Sequence, residues 1–127
     1  MSFNVLIVDD SATTRGIVKK VLQLSELPLG TVQEAGNGLQ ALEVLRRDWV
    51  DLVLADLNMP EMGGAELIEA MSQDPLLAAV PVVVVSSEGN QTVIDSLASK
   101  GTRGFIRKPC EPAMLRRVIE EALNARA

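Results

Sequence analysis

The chain has 127 residues, 47% of them hydrophobic and 23% charged, with a formal net charge of -5, one cysteine and no histidine. That size suits one ordinary domain with a substantial core, and no stretch approaches the ~20 unbroken apolar residues of a membrane helix. A lone cysteine excludes an internal disulfide, and the lack of histidine excludes catalytic triads and the usual zinc and haem ligand sets. An acidic balance with 2% aromatics argues against nucleic acid or flavin as a direct partner.

Met1 to Asn4 lead straight into the first strand without a basic and apolar leader, so a cytoplasmic location without membrane insertion is expected. Asn4 to Val8 read as that strand and end in Asp9-Asp10. Ser11 can then cap a helix carrying Ile17, Val18, Val21 and Leu22 on one face. Thr31 to Ala35 alternate like a half-exposed strand, and Gly36-Asn37-Gly38 opens a helix with Leu39, Leu42 and Leu45. Leu52 to Ala55 form a short apolar run of the kind a parallel sheet buries on both faces. Asp56 ends it, and Pro60, Gly63 and Gly64 mark a turn before a helix around Leu67, Ile68 and Met71 that Asp74-Pro75 closes.

Pro81 to Val85 are the most β-branched run, followed by Ser86-Ser87 and a helix with Val93, Ile94, Leu97 and Ala98. Arg103 to Arg107 make a brief fifth strand, broken by Lys108-Pro109, and Glu111-Pro112 start a last helix through Leu115, Val118, Ile119 and Leu123. Five strand-helix units account for residues 1–127, with no repeat or linker, which predicts a single α/β domain with an open, doubly wound parallel sheet and helices on both faces. With no output domain in sight, any signal is expected to act in trans.

Functional residues of such a sheet gather at the carboxyl ends of its strands. Here those ends carry Asp9, Asp10, Asp56, Ser86 and Lys108. Two like charges about 4 Å apart at an effective dielectric constant near 20 repel by roughly 4 kcal/mol, so three carboxylates need a cation beyond one lysine. Oxygen-only ligands suit Mg²⁺. A carboxylate can also be a nucleophile that forms an acyl phosphate, and Asp56 is the candidate, with Lys108 and a metal at Asp9 and Asp10 supplying charge and Ser86 a hydrogen bond. The plainer alternatives are that Asp56 caps a turn and that Asp9 or Asp10 caps the first helix.

The set Asp9-Asp10-Ser11, Asp56-Leu57-Asn58-Met59-Pro60, Ser86 and Lys108-Pro109, in that order, resembles the CheY-like receiver domain of bacterial response regulators, and the resemblance spans the whole chain. It implies a flavodoxin-like fold with strand order 2-1-3-4-5. It also implies that Asp56 accepts a phosphoryl group from a sensor histidine kinase or a histidine phosphotransfer protein. Asp9, Asp10, Asp56 and the backbone carbonyl of Asn58 would hold Mg²⁺, or Mn²⁺ in its place. The Lys108-Pro109 bond would be cis. Ser86 and Phe105 would be switch residues, although Phe105 stands where tyrosine is frequent and lacks its hydroxyl. Asn58 and Glu88 would modulate autodephosphorylation, which is expected on a signalling timescale. The face of the fourth helix, fifth strand and fifth helix, with Ile94, Ala98, Phe105 and Arg107, would engage a downstream protein. The chain is then a monomeric signalling domain that catalyses only its own phosphoryl transfer and dephosphorylation.

Three other functions compete. Gly36-Asn37-Gly38 imitates a dinucleotide fingerprint, but it follows the second strand and faces an acidic cluster that repels pyrophosphate. Ser11 to Thr14 vaguely resemble a flavodoxin phosphate loop, but two adjacent aspartates and the lack of tyrosine oppose it. A haloacid-dehalogenase-type phosphatase needs a second acid two residues after its nucleophile, where this chain has Asn58. Cys110 reads as a small buried hydrophobe, Trp49 as structural, and Gly63 and Gly64 as turn formers.

Overall fold

A computed structural model describes residues 2–87 and 91–126. Its elements follow in strict alternation: β1 (Phe3–Val8), α1 (Ala12–Leu24), β2 (Leu29–Ala35), α2 (Gly38–Arg47), β3 (Leu52–Ala55), α3 (Gly64–Gln73), β4 (Val82–Ser86), α4 (Gln91–Ser99), β5 (Gly104–Arg107) and α5 (Pro112–Arg126). All neighbouring strands pair in parallel, in the order β2-β1-β3-β4-β5. The expected doubly wound α/β sheet and its 2-1-3-4-5 order are both present.

The strand order explains the composition of each strand. β3 and β4 lie inside the sheet and are buried at every position, whereas β2 and β5 form its edges and keep exposed residues. Successive side chains of a strand point to opposite faces, which splits the core in two. Leu6, Val8, Val53, Ala55, Val82 and Val84 meet Leu42 and Leu45 of α2, Leu67, Ile68 and Met71 of α3, and Leu97 of α4. Val5, Ile7, Leu52, Leu54, Val83, Val85 and Ile106 face the other way, toward Val18 and Leu22 of α1 and Leu115, Ile119 and Ala122 of α5. Each fully buried leucine or isoleucine contributes roughly 1.5–3 kcal/mol.

Helix starts follow local chemistry. The Ser11 hydroxyl accepts from the Thr14 N–H at 3.2 Å and the Asn37 side chain from the Gln40 N–H at 2.9 Å, capping α1 and α2. Three apolar residues expected on the apolar stripes of their helices stand out instead. Ile17, Leu39 and Val93 are exposed, because their helices are buried on a narrower stripe than the periodicity suggested, and Trp49 is 70% exposed. The Trp49 indole is tied by its N–H to Asp51 Oδ1 at 2.8 Å. Among the described residues no helix is long and apolar enough to cross a membrane.

Candidate functional site

Sheet register creates the site. Val8 pairs with Ala55, so the next residues, Asp9 and Asp56, leave the sheet side by side at its carboxyl edge. Backbone bonds continue the ladder past the strand ends, from Asp56 N–H to the Val8 carbonyl at 2.9 Å and from Asp9 N–H to the Ala35 carbonyl at 3.1 Å. Asp9 is buried at 4% exposure, Asp56 is half-buried and Asp10 is exposed. One carboxylate oxygen from each of the three lies within 4.8 Å of the others.

Lys108 reaches this cluster from β5. Its N–H bonds to the Ser86 carbonyl at 3.0 Å, and its Nζ donates to Asp9 Oδ2 at 2.9 Å and to Asp56 Oδ2 at 3.1 Å. β5 and β3 are separated by β4, about 10 Å in the hydrogen-bonding direction, which a lysine stem can span and a short side chain cannot. Burial works against the charged amine, but the hydrogen bonds to Asp9 and Asp56, reinforced by both charges, outweigh it and raise Lys108 above the ordinary lysine value of 10.5. The Lys108-Pro109 peptide is cis, as the resemblance implied.

Ser11, not Asp9 or Asp10, caps α1, and the two oxygens of Asp9 and of Asp56 divide between a following backbone N–H and Lys108. Asp9 Oδ1 accepts from the Ser11 N–H at 2.9 Å while Oδ2 holds Lys108. Asp56 Oδ1 accepts from the Leu57 N–H at 2.7 Å while Oδ2 holds Lys108. Asn58 is exposed and lines a cleft of about 430 Å³ with Asp10, Leu57, Met59, Pro60, Gly63 and Glu66. Ser86, expected just after its strand, is the last residue of β4, two beyond the Val84 that pairs with Ala55, and is buried. Glu88 lies outside the described residues.

Gly63 and Gly64 do more than turn the chain. A Cβ on Gly64 would stand 2.2 Å from the Asp56 carbonyl oxygen, and one on Gly63 would stand 2.5 Å from the Leu57 carbonyl oxygen. Their bareness lets the start of α3 close on the backbone that carries Asp56. Gly64→Ala is expected to destabilise the protein by about 1–3 kcal/mol, because only rigid backbone is in the way; urea unfolding measures it. The Gly36-Asn37-Gly38 motif has a similar explanation. Gly38 donates its N–H to the Met62 carbonyl at 2.9 Å and lies against the Met62 side chain, so the glycine serves packing against the β3–α3 loop.

Beside this edge, Phe105 is half-buried against the core on the α4 side. It lines a depression of about 190 Å³ with Ile94, Leu97, Ala98 and Thr102, and a second of about 240 Å³ with Arg107, Cys110 and Met114. The four residues assigned to an output face therefore cluster, with Ala98 and Arg107 exposed. Thr102 Oγ1 is buried there without a hydrogen-bond partner among the described residues. Since an unpaired buried hydroxyl costs about 1–3 kcal/mol, Thr102→Val is expected to raise unfolding stability by about 1 kcal/mol in urea titration. Cys110 packs against the α1 and α5 core, and burial pushes its thiol up, which keeps it protonated and unreactive at neutral pH.

This geometry meets the comparisons with known proteins. A model of the response regulator receiver domain matches residues 5–120. The chain belongs to the response regulator receiver family. The chemotaxis protein CheY-3 of Vibrio cholerae is 36% identical over 120 residues, covering 94% of this chain and 91% of the relative. Among solved structures, Vibrio cholerae CheY4 superposes with a TM-score of 0.85 at 27% identity, covering 97% of this chain and 100% of that one. The phosphorylated cyanobacterial phytochrome response regulator RcpA gives 0.79 at 26% identity, covering 100% and 97%. In this receiver domain, sequence reasoning named Asp9, Asp10, Asp56, Asn58, Ser86 and Lys108 but passed over Arg15. Its only local signal is an arginine one helical turn after the Ser11 cap.

Proposed function

We propose that this receiver domain is a phosphorylation-dependent switch of a two-component phosphorelay. Asp56 accepts a phosphoryl group from a histidine kinase or a histidine phosphotransfer protein, and the α4–β5–α5 face carries the signal to a downstream protein. The observation that supports this reading most directly is the meeting of Asp9, Asp10 and Asp56 with the Lys108 ammonium bridging two of them. A structural relative solved in a phosphorylated state is consistent with it.

The donor set fits Mg²⁺, with Mn²⁺ as a substitute. All ligands are hard oxygens, the ionised trio exceeds what Lys108 neutralises, and exposed Asp10 borders an open cleft that admits water and phosphate. Asp9, Asp10, Asp56 and the Asn58 carbonyl would hold the ion, which when bound supplies charge neutralisation for the incoming phosphoryl oxygens. An Asp56 carboxylate oxygen attacks phosphorus, and the bond from phosphorus to the donor breaks with its electron pair leaving on the donor. Lys108 then trades a carboxylate contact for a phosphoryl oxygen, and the Ser86 hydroxyl donates to another. Asn58, at the cleft, and Glu88 control water access and so the lifetime of the acyl phosphate.

Because Lys108 leads directly into Pro109 and Cys110 beside Phe105, its movement and that of the Ser86 end of β4 would shift the α4–β5–α5 face through the packing of Phe105. Lacking a hydroxyl, Phe105 acts there by shape and apolar burial alone. The test is incubation with acetyl phosphate and Mg²⁺ followed by intact mass. One phosphoryl adduct is expected, absent when EDTA replaces Mg²⁺; an adduct that forms equally well in EDTA would overturn the metal assignment.

A further inference from the structure

Asp10 poses a positioning problem. It is exposed, and its carboxylate makes no hydrogen bond or ion pair with any described residue, yet it stands with Asp9 and Asp56. With no partner among the described residues to hold the side chain, the place from which it starts is set by the backbone, chiefly by the plane of the Asp9-Asp10 peptide. The Asp9 N–H is fixed by the β2 carbonyl of Ala35, and the carbonyl oxygen of that peptide accepts from Arg15 Nη1 at 2.6 Å. Arg15 is itself anchored, since its Nε donates to Glu34 Oε1 of β2 at 2.9 Å and its side chain is only 19% exposed.

We infer that Arg15, anchored by Glu34, is a positioning residue for the metal site: it holds the Asp9-Asp10 peptide so that the Asp10 carboxylate joins Asp9 and Asp56. This rests on the proposed Mg²⁺ site and goes beyond it, because Arg15 ligates nothing itself. Two donors in a rigid fork, one on the carbonyl and one on the anchor, are what a guanidinium provides and an ammonium cannot. Partners that orient ligands in this way typically change metal affinity by about 10–100-fold when removed.

The direction of the effect separates positioning from charge. Arg15 is a cation near three carboxylates, so if it acted by its field alone, removing it would tighten Mg²⁺ binding. Positioning predicts the opposite. The experiment is Mg²⁺ titration by calorimetry of the parent chain, Arg15→Ala, Arg15→Lys and Asp10→Asn, with melting in EDTA as the folding control. Arg15→Ala is expected to weaken Mg²⁺ binding about tenfold while remaining folded, and Arg15→Lys to weaken it nearly as much although the charge is kept. In acetyl phosphate assays the half-saturating Mg²⁺ should rise with little change in rate at saturating Mg²⁺. Should Arg15→Ala fail to fold, Glu34→Gln, which leaves the arginine but loosens its anchor, is expected to shift the affinity in the same direction. Parent-like or tighter Mg²⁺ binding by folded Arg15→Ala, with Asp10→Asn impaired, would overturn the clamp alone. A parent chain that does not bind Mg²⁺ would overturn the underlying site as well.

Discussion

Asp56→Asn is expected to abolish the phosphoryl adduct formed from acetyl phosphate and Mg²⁺, read by intact mass, while the protein still folds. The amide keeps the size of the carboxylate. Its oxygen can still accept from Leu57 N–H or from Lys108 Nζ, the two donors that now hold Asp56 at 2.7 and 3.1 Å. What it loses is the anionic nucleophile, without which no acyl phosphate forms. Three carboxylates around one ammonium carry excess negative charge, so removing one also relieves repulsion. In EDTA the variant should therefore melt no lower than the parent. An adduct of undiminished yield would show that another side chain, such as the exposed Asp10 of the same cluster, is the acceptor.

Lys108→Ala is expected to slow phosphorylation of Asp56 by about 10²–10³-fold, the usual loss when one pre-placed donor to a developing oxyanion is removed. Stopped-flow or quenched mass measurements at saturating Mg²⁺ give the rate. The same substitution strips Asp9, whose side chain is 5% exposed, and Asp56, at 14%, of their shared cation. The stability loss should stay below the roughly 3–5 kcal/mol of breaking a fully buried pair, since the partial exposure of Lys108 and Asp56 lets water screen them. Its pH dependence has a definite sign. The folded-state value of Lys108 is raised above the unfolded 10.5, so its stabilising contribution is complete below 10.5 and disappears as pH rises through the higher folded value. The stability gap between parent and Lys108→Ala should thus be flat at neutral pH and close at strongly alkaline pH. Urea titrations across pH that showed the gap closing below 10 would contradict the ion-pair account. Lys108→Arg is not a neutral control, because a planar fork does not fit the two oxygens that a compact ammonium bridges.

Much of this receiver domain was legible in one dimension because burial leaves a local mark. Strands covered on both faces must be apolar at every position, so Leu52 to Ala55 and Val82 to Val85 announced buried strands of a parallel sheet, while polar alternation in Thr31 to Ala35 announced a half-exposed one. Caps such as Ser11 and Asn37 are equally local, since the donors they satisfy lie three residues away. The candidate site residues were legible because charges at the ends of buried strands are costly and therefore conspicuous.

Other features depended on contacts between distant segments, which carry no periodic signature. That Asp9 and Asp56 stand together follows from the pairing of Val8 with Ala55, and that Lys108 reaches both follows from strand order. The spatial requirement for Gly63 and Gly64 appears only when α3 closes on the Asp56 backbone, and Ile17, Leu39 and Val93 were misjudged because helical period does not say how wide a stripe its neighbours cover. Arg15 is the sharpest case. Its partners are a backbone carbonyl six residues back and Glu34 nineteen residues ahead, a pairing made by α1 lying across β1 and β2. The sequence by itself determined which residue types could bind a metal and accept a phosphoryl group; the tertiary structure decided which of them meet, because strand register and helix docking set distances that no local pattern encodes.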